Sequence, residues 1–362
     1  MSYGYPAFDL VEPELQRTLT PGAVVAINTP AHGLQIRGFG FRDLKRTEAV
    51  TPADHFRVGS NTKTMTGTAI LQLVDNERLA LTDSVAFRLP GLHDDKLRHI
   101  SIQNLLEMRS GLDNYSDLLW LNQQQDDYPD RWYAAAQLAE LGLAGDSTGQ
   151  PGGTFFYCNT NTCLAGLVLE HELGAPLQEI FQRTIFTIAN MIDTVLPQAP
   201  DASLPGPHPR GYMFGTNVST MHTNVLSPEE QRRAYAGELL PGDYTTMNPS
   251  WTWAAGGVVA TANDLVSYVE AMVGGGFLST GLQQQRINSV GPTGLPNTAE
   301  YGLALAKLGP MYGHDGTLPG FQSFMGHDPI TKNTLVVLAN LTASPKGELP
   351  ANELAKILIP AL

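Results

Sequence analysis

Strand-like apolar runs stand near both ends of this chain, and the residues between them change to a helical period. Gly22-Ala23-Val24-Val25-Ala26-Ile27-Asn28 is a continuous apolar run, and Leu335-Val336-Val337-Leu338-Ala339 suits a central strand. After a Thr29-Pro30-Ala31-His32-Gly33 turn, Leu34 to Phe41 alternates as a second strand. Tyr301 to Leu308 and Phe321 to Met325 add late strand signals. From residue 60 the spacing is helical: Met65, Ala69 and Leu73, joined by Ile70 and Val74, share one face, and Asp75 to Arg78 close the run. Thr162 to Leu173 and Pro176 to Phe186 are also helical, the latter with Leu177, Ile180, Phe181 and Ile185 as its stripe. Residues 196 to 260, rich in Pro, Gly and Asn, read as long surface loops. Thr261 then opens a helix with a Thr-Ala-Asn-Asp capping box before Leu265, Val266, Val269 and Met272, and Leu354, Ile357 and Leu358 mark a C-terminal helix. The pattern predicts a sheet domain built from residues 1–78 and 255–362, with a mainly helical domain, 79–254, inserted. A cleft at the boundary would hold the ligand site.

Composition narrows the class. With 362 residues, 42% hydrophobic and 16% charged, the chain has enough length for two domains of ~150 residues and too little charge for a disordered one. A net charge of −13 argues against nucleic acid, whose phosphates call for a basic face. Cys158 and Cys163 would point to different faces of a helix, so no disulfide framework is expected. No stretch approaches the ~20 apolar residues of a spanning helix. Met1-Ser2-Tyr3-Gly4-Tyr5-Pro6 lacks the basic and apolar regions of a secretory signal. A complete chain would therefore be cytoplasmic, and one relieved of a leader would be secreted or periplasmic.

Three short segments carry chemistry. Phe56-Arg57-Val58-Gly59-Ser60-Asn61-Thr62-Lys63 runs into the helix described above. If Ser60 opens that helix, Lys63 lies one turn on and projects from the same face. A serine hydroxyl attacks only when something takes its proton, and a lysine does so only as the neutral amine. Burial and the positive end of the helix dipole both push its pKa down. A capped helix with a surface lysine fits the same spacing. Further on, Pro151-Gly152-Gly153-Thr154-Phe155-Phe156-Tyr157-Cys158-Asn159 places a phenol and an amide just before a helix. They suit proton transfer to a leaving group and orientation of a substrate carbonyl, or equally a core tyrosine and an N-cap. Last, Tyr312-Gly313-His314-Asp315-Gly316-Thr317-Leu318-Pro319-Gly320-Phe321 puts glycines around His-Asp, which lets a substrate backbone approach a strand edge. A structural histidine and a turn-forming Asp315 are the plainer reading of that segment.

In this order and spacing the three segments resemble Ser-x-x-Lys, Tyr-x-Asn and Lys/His-x-Gly of the penicillin-recognising serine hydrolases. Trp253-Ala254-Ala255-Gly256-Gly257 and Gly313-His314 are most similar to the DD-carboxypeptidase branch. The resemblance implies an α/β (α+β) fold of the β-lactamase/DD-peptidase kind: an antiparallel sheet flanked by helices. It implies that Ser60 is acylated, that Lys63 and Tyr157 share proton transfer, and that Asn159 and His314 face the substrate. Backbone N–H groups of Ser60 and Thr317 would form the oxyanion hole, with Gly316 and Asp315 lining the substrate. No metal or cofactor is called for. The partner is a small-molecule or peptide substrate, and oligomeric state is left open.

Some positions depart from the family pattern. Asp315 stands where Thr or Ser commonly helps hold a terminal carboxylate. Leu303-Ala304-Leu305-Ala306-Lys307-Leu308 lacks an arginine, with Lys307 as a substitute, and Leu106-Glu107-Met108-Arg109-Ser110-Gly111-Leu112 differs from His-Thr-Ser-Gly-Leu. The expectation is an acyl-enzyme hydrolase of amides, most like a D-alanyl-D-alanine carboxypeptidase. The alternatives are an esterase or transacylase, a class C-type β-lactamase, or an inactive binding protein. Tyr115, Trp120 and Trp251 could wall the pocket or simply pack the core. His93-Asp94-Asp95 with His99 reads as helix surface, Gly274-Gly275-Gly276 as a helix end, and no Gly-x-Ser-x-Gly elbow occurs.

Overall fold

The computed structural model describes residues 5–295 and 299–362. The reading of a missing leader falls partly on the first four residues, which lie outside the described ones. Seven strands form one antiparallel sheet: β1 (Gly22–Thr29), β2 (Gly33–Gly40), β3 (Glu300–Tyr301), β4 (Ala306–Leu308), β5 (Met311–Leu318), β6 (Phe321–His327) and β7 (Thr334–Ala339). Their order across the sheet is β2-β1-β7-β6-β5-β4-β3, so strands from the two ends of the chain meet where β1 pairs with β7.

The apolar runs of β1 and β7 are continuous because both faces are covered. Ala23, Val25 and Ile27 of β1, with Leu335 and Val337 of β7, pack under α1 (Val11–Thr18) and the C-terminal helix. Val24, Ala26, Val336 and Leu338 face the larger core, which holds α2 (Asn61–Asp75) and α3 (Asn159–Leu173). The α2 helix is buried along most of its length, more fully than a single apolar face implies. Its threonines hide their hydroxyls on backbone carbonyls: Thr64 on Asn61, Thr68 on Thr64, and Thr66 on Ala254. A polar helix can be buried when its side chains are satisfied locally.

Several boundaries differ from the sequence reading. The strand expected over Tyr301 to Leu308 is split into β3 and β4 by a buried turn. Gly302 N–H donates to Leu305 C=O (2.9 Å) and Ala304 sits at φ 47°. A Cβ on Gly67 of α2 would lie 2.2 Å from Ala304 Cβ, so the turn fills the gap that this glycine leaves. Pro176 to Phe186 becomes an α-helical turn, Leu177–Phe181, continued by a π-helical one, Gln182–Phe186. The stretch 196 to 260 is mostly irregular, yet it contains α4 (Pro228–Tyr235). That helix is opened by a capping box between Ser227 and Glu230 with Pro at its first position. Ser227-Pro228-Glu229-Glu230 carries that signal in the sequence, and this helix corrects the expectation of a loop there. A short helix, α5 (Trp253–Gly256), precedes α6 (Ala262–Gly274) and α7 (Thr280–Asn288), and α8 (Pro350–Leu358) ends the fold. Thr261 caps α6 by accepting from Asp264 N–H (3.3 Å). Asp264 turns instead to Asp193 N–H (2.8 Å) and Thr194 Oγ1 (2.7 Å), leaving the box half made. Among the described residues, no helix is long and apolar enough to cross a membrane.

Candidate active site

Ser60 stands at the N-cap of α2, where the chain leaves a two-residue strand, Phe56–Arg57, paired with Val259–Ala260. Val58 N–H donates to Val258 C=O (3.0 Å), and Ser323 Oγ of β6 donates to Val58 C=O (2.7 Å). Asn61 Nδ2 donates in turn to Ser323 Oγ (2.7 Å). The backbone ahead of the serine is thus locked to the sheet. Two glycines let β5 press against it. Gly59 takes φ +53°, and a Cβ there would come within 2.9 Å of Thr317 N; one on Gly316 would be 2.0 Å from Val58 O and 2.8 Å from Ser60 N. The amides of Ser60 and Thr317 are thereby brought side by side at a helix start, where N–H groups have no partner within the helix.

Lys63, 1% exposed, donates from Nζ to Ser60 Oγ (2.9 Å) and to Ala255 C=O of α5 (2.9 Å). Burial lowers its pKa to about 7, so near neutrality a large share of it is the free amine. Tyr157 sits just before α3, its ring centroid 4.9 Å from Lys63 Nζ. Burial holds this phenol well above its ordinary pKa, so it keeps its proton. His314 is buried on β5 and packs its ring 6.0 Å from Tyr157 and 5.6 Å from Tyr301; Tyr157 and Tyr301 are 6.2 Å apart. Its Nδ1 lies 2.6 Å from Asp315 C=O.

The remaining expected residues are less central. Asn159, first in α3, donates from its backbone to Asn114 Oδ1 (2.9 Å) and from Nδ2 to Ser116 Oγ (2.9 Å). Asp315, one residue on from His314, points to the opposite face of the sheet, where its Oδ2 accepts from Asn352 Nδ2 of α8 (2.7 Å). Its Oδ1 stays 3.5 Å from His314 Nδ1, so the two neighbours still meet. Lys307 lies 3.4 Å from Glu300 and over the Tyr312 ring (5.3 Å). Tyr115 is core, its hydroxyl donating to Trp251 C=O (2.8 Å); Trp251 is half-buried and Trp120 is exposed beside Arg131. Asp94 caps a 3-10 turn and Asp95 pairs with Arg98 (3.3 Å), which accounts for that acidic cluster. Cys158 and Cys163 are free and buried, and burial raises the Cys158 thiol to about 11.

Three participants had no assigned role from sequence. The Ala255 carbonyl has no side-chain signature, although its Trp-Ala-Ala-Gly-Gly setting stood out. Tyr301 reads from sequence only as a strand residue, and Ser116 belongs to no motif.

The Beta-lactamase family model matches residues 8–358. Protein flp of Staphylococcus aureus is 24% identical over 343 residues, covering 92% of this chain and 62% of that protein. An uncharacterized protein, MT1414, of Mycobacterium tuberculosis is 28% identical over 279 residues, covering 71% of this chain and 63% of its own length. The chain therefore spans about three fifths of the length of the curated relatives it matches. Among solved structures, a D-stereospecific amidohydrolase from Streptomyces sp. superposes with a TM-score of 0.79 at 25% identity, covering 99% of this chain and 98% of that one. D-amino acid amidase from Ochrobactrum anthropi SV3 has a TM-score of 0.79 at 24% identity and 98% coverage of both chains. A penicillin binding protein from Bacillus halodurans, at 19% identity and a TM-score of 0.75, covers 97% of this chain and 98% of its own. The last two show the shared fold. With almost all of its length matched, the chain belongs to the Beta-lactamase family, within the serine hydrolase superfamily.

Proposed function

We propose that the protein hydrolyses amide bonds through an acyl-enzyme on Ser60, and that its acyl donors are D-configured. The observation that carries this reading is the 2.9 Å contact between Ser60 Oγ and a Lys63 amine whose pKa burial has brought to about 7. The neutral amine takes the Ser60 proton as Oγ attacks the substrate carbonyl. The oxyanion is met by the backbone N–H groups of Ser60 and Thr317, each contributing ~3 kcal/mol. Tyr157, still protonated, hands its proton to the leaving nitrogen and is recharged from Lys63. Water then cleaves the ester, with the same groups acting in reverse. Asn159 and His314 orient the substrate. We keep residues 1–78 with 255–362 and residues 79–254 as two units; Ser60 and His314 belong to the first, Tyr157 and Asn159 to the second.

The names of the Streptomyces and Ochrobactrum neighbours support a D-configured amide. Chemistry near His314 supports a substrate without a free terminal carboxylate: Lys307 is engaged by Glu300, and Asp315 sets its own carboxylate 3.5 Å from His314 Nδ1. A D-alanyl-D-alanine carboxypeptidase is the second reading, because the Gly313-His314 motif resembles that branch. Esterase or transacylase activity would change only the leaving group or acceptor. The deciding experiment offers a D-amino acid amide, a D-Ala-D-Ala peptide and a short-chain ester to the same preparation. Amide turnover with little peptide cleavage supports the first reading, and the reverse supports the second. A fluorophosphonate adduct that forms equally on Ser60→Ala would overturn both.

A further inference from the structure

Behind the catalytic strand, on the sheet face that packs against α8, lies a cavity of ≈ 290 Å³ that His314 also lines and whose apolar floor and α8 wall the hydrolase reading does not use. Leu308, Met311 and Phe324 give it an apolar floor, while Asp315, Asn352 and Lys356 give it a polar wall. The Asp315 side chain is 40% exposed. Its Oδ2 is held by Asn352 Nδ2 (2.7 Å), and Asn352 Oδ1 accepts from Gln322 Nε2 (3.1 Å), so the carboxylate is fixed from α8. Lys356 is one turn further along α8 than Asn352, about 6 Å on the same helix face. Its side chain is 61% exposed and its ammonium pairs with Glu353 at 2.5 Å; an exposed pair of this kind costs little to exchange. A carboxylate and an ammonium separated by one helical turn, above an apolar floor, complement a zwitterion that carries an apolar side chain.

We propose that this cavity binds a free amino acid with an apolar side chain, its ammonium on Asp315 and its carboxylate on Lys356. Asp315 is also the residue whose Oδ1 lies 3.5 Å from His314 Nδ1 and whose carbonyl holds that nitrogen at 2.6 Å. A ligand ammonium on the carboxylate competes with this contact, so occupancy reaches the substrate-facing imidazole through a single residue. An amidohydrolase that releases amino acids would then be slowed by its own class of product. Binding stands apart from the hydrolase reading; only this consequence for turnover rests on it.

The test titrates the full chain with D-leucine and L-leucine by calorimetry. Leucinamide and 4-methylpentanoate serve as probes that each lack one charge. One site should saturate with at least one leucine enantiomer, and each single-charge probe should bind at least tenfold more weakly. Lys356→Gln, and Leu308→Trp as a cavity-filling variant, should abolish uptake while leaving ester turnover without leucine unchanged. Saturating leucine should slow acylation of the wild type at least threefold. Enzyme blocked at Ser60 by a fluorophosphonate should bind leucine as the free enzyme does. Equal binding of leucine and the single-charge probes overturns the proposal, as does uptake that survives both variants. Uptake lost on blocking Ser60 also overturns it, by placing the amino acid in the catalytic cleft. Failure of the fluorophosphonate to label Ser60 tells against the hydrolase reading instead, and the two variants still decide the cavity.

Discussion

Along α2 the chain buries two basic side chains, Lys63 in the helix's own first turn and Arg286 reaching in from α7, and it surrounds them differently. Lys63 Nζ has a hydroxyl and one carbonyl, Ser60 Oγ and Ala255 C=O, both at 2.9 Å. Arg286 spreads its guanidinium over Leu303 C=O (3.2 Å), Thr68 Oγ1 (2.8 Å), Thr64 C=O (3.3 Å) and Ala304 C=O (3.1 Å). Burial lowers both pKa values. The amine reaches the neutral range, whereas a guanidinium starts so high that it stays charged. One buried cation therefore becomes a base, and the other a clamp that fastens α2 to the turn between β3 and β4. What separates them is the intrinsic chemistry of the head group and the number of acceptors around it, since both are almost wholly buried.

Replacing the base by the clamp's own chemistry gives the largest expected effect. Lys63→Arg cannot shed its proton, so ester turnover should fall by about 10³ while the far-UV signal of the fold is kept. A variant retaining a tenth of wild-type turnover would show that the proton leaves Ser60 by another route. Next is pH. With Lys63 at about 7, kcat/KM should fall on the acid side with a midpoint near 7. The same shift has a stability sign. An unfolded lysine holds its proton up to about 10.4, so between about 7 and 10.4 the folded chain binds fewer protons and stability rises with pH. Urea melts should show the wild type gaining roughly 4 kcal/mol across that window relative to Lys63→Met. A flat difference would mean the folded lysine stays charged.

Arg286→Met should cost about 3 kcal/mol, because several carbonyls lose their donor, yet leave the acid limb of kcat/KM where it was. Movement of the limb would erase the division between base and clamp. Thr68→Val, nearly isosteric, removes one acceptor of the clamp and should cost about 1 kcal/mol with turnover unchanged, as read by thermal melting and ester hydrolysis.

Much of this arrangement was legible from the residues. The continuous apolar runs of β1 and β7 announced strands covered on both faces, because a residue exposed at every second position would have been polar. Ser60, Lys63, Tyr157, Asn159 and His314 were named from motif order, since each motif is a local pattern of side chains. Less legible were features made by backbone or by contact. Ala255 acts through a carbonyl that every residue possesses. Tyr301 matters through rings that come together only when β3 and β5 share a sheet. Asp315 keeps a contact with His314 and makes a second one with Asn352 of α8, a partner far along the chain that no local motif announces. The break between β3 and β4 depends on Gly67, far away in sequence, leaving room for Ala304. By contrast α4 was readable in advance from Ser227, Pro228 and Glu230.

Residue pattern alone was enough for the strands, the helical period from residue 60 and the identities of the side chains that carry chemistry, because these follow from local spacing and intrinsic reactivity. Tertiary structure alone decided the charge on Lys63, the company kept by His314 and the side of the sheet that Asp315 serves. Those depend on how much water is excluded and on which distant atoms fill its place, and no short stretch of chain contains that information.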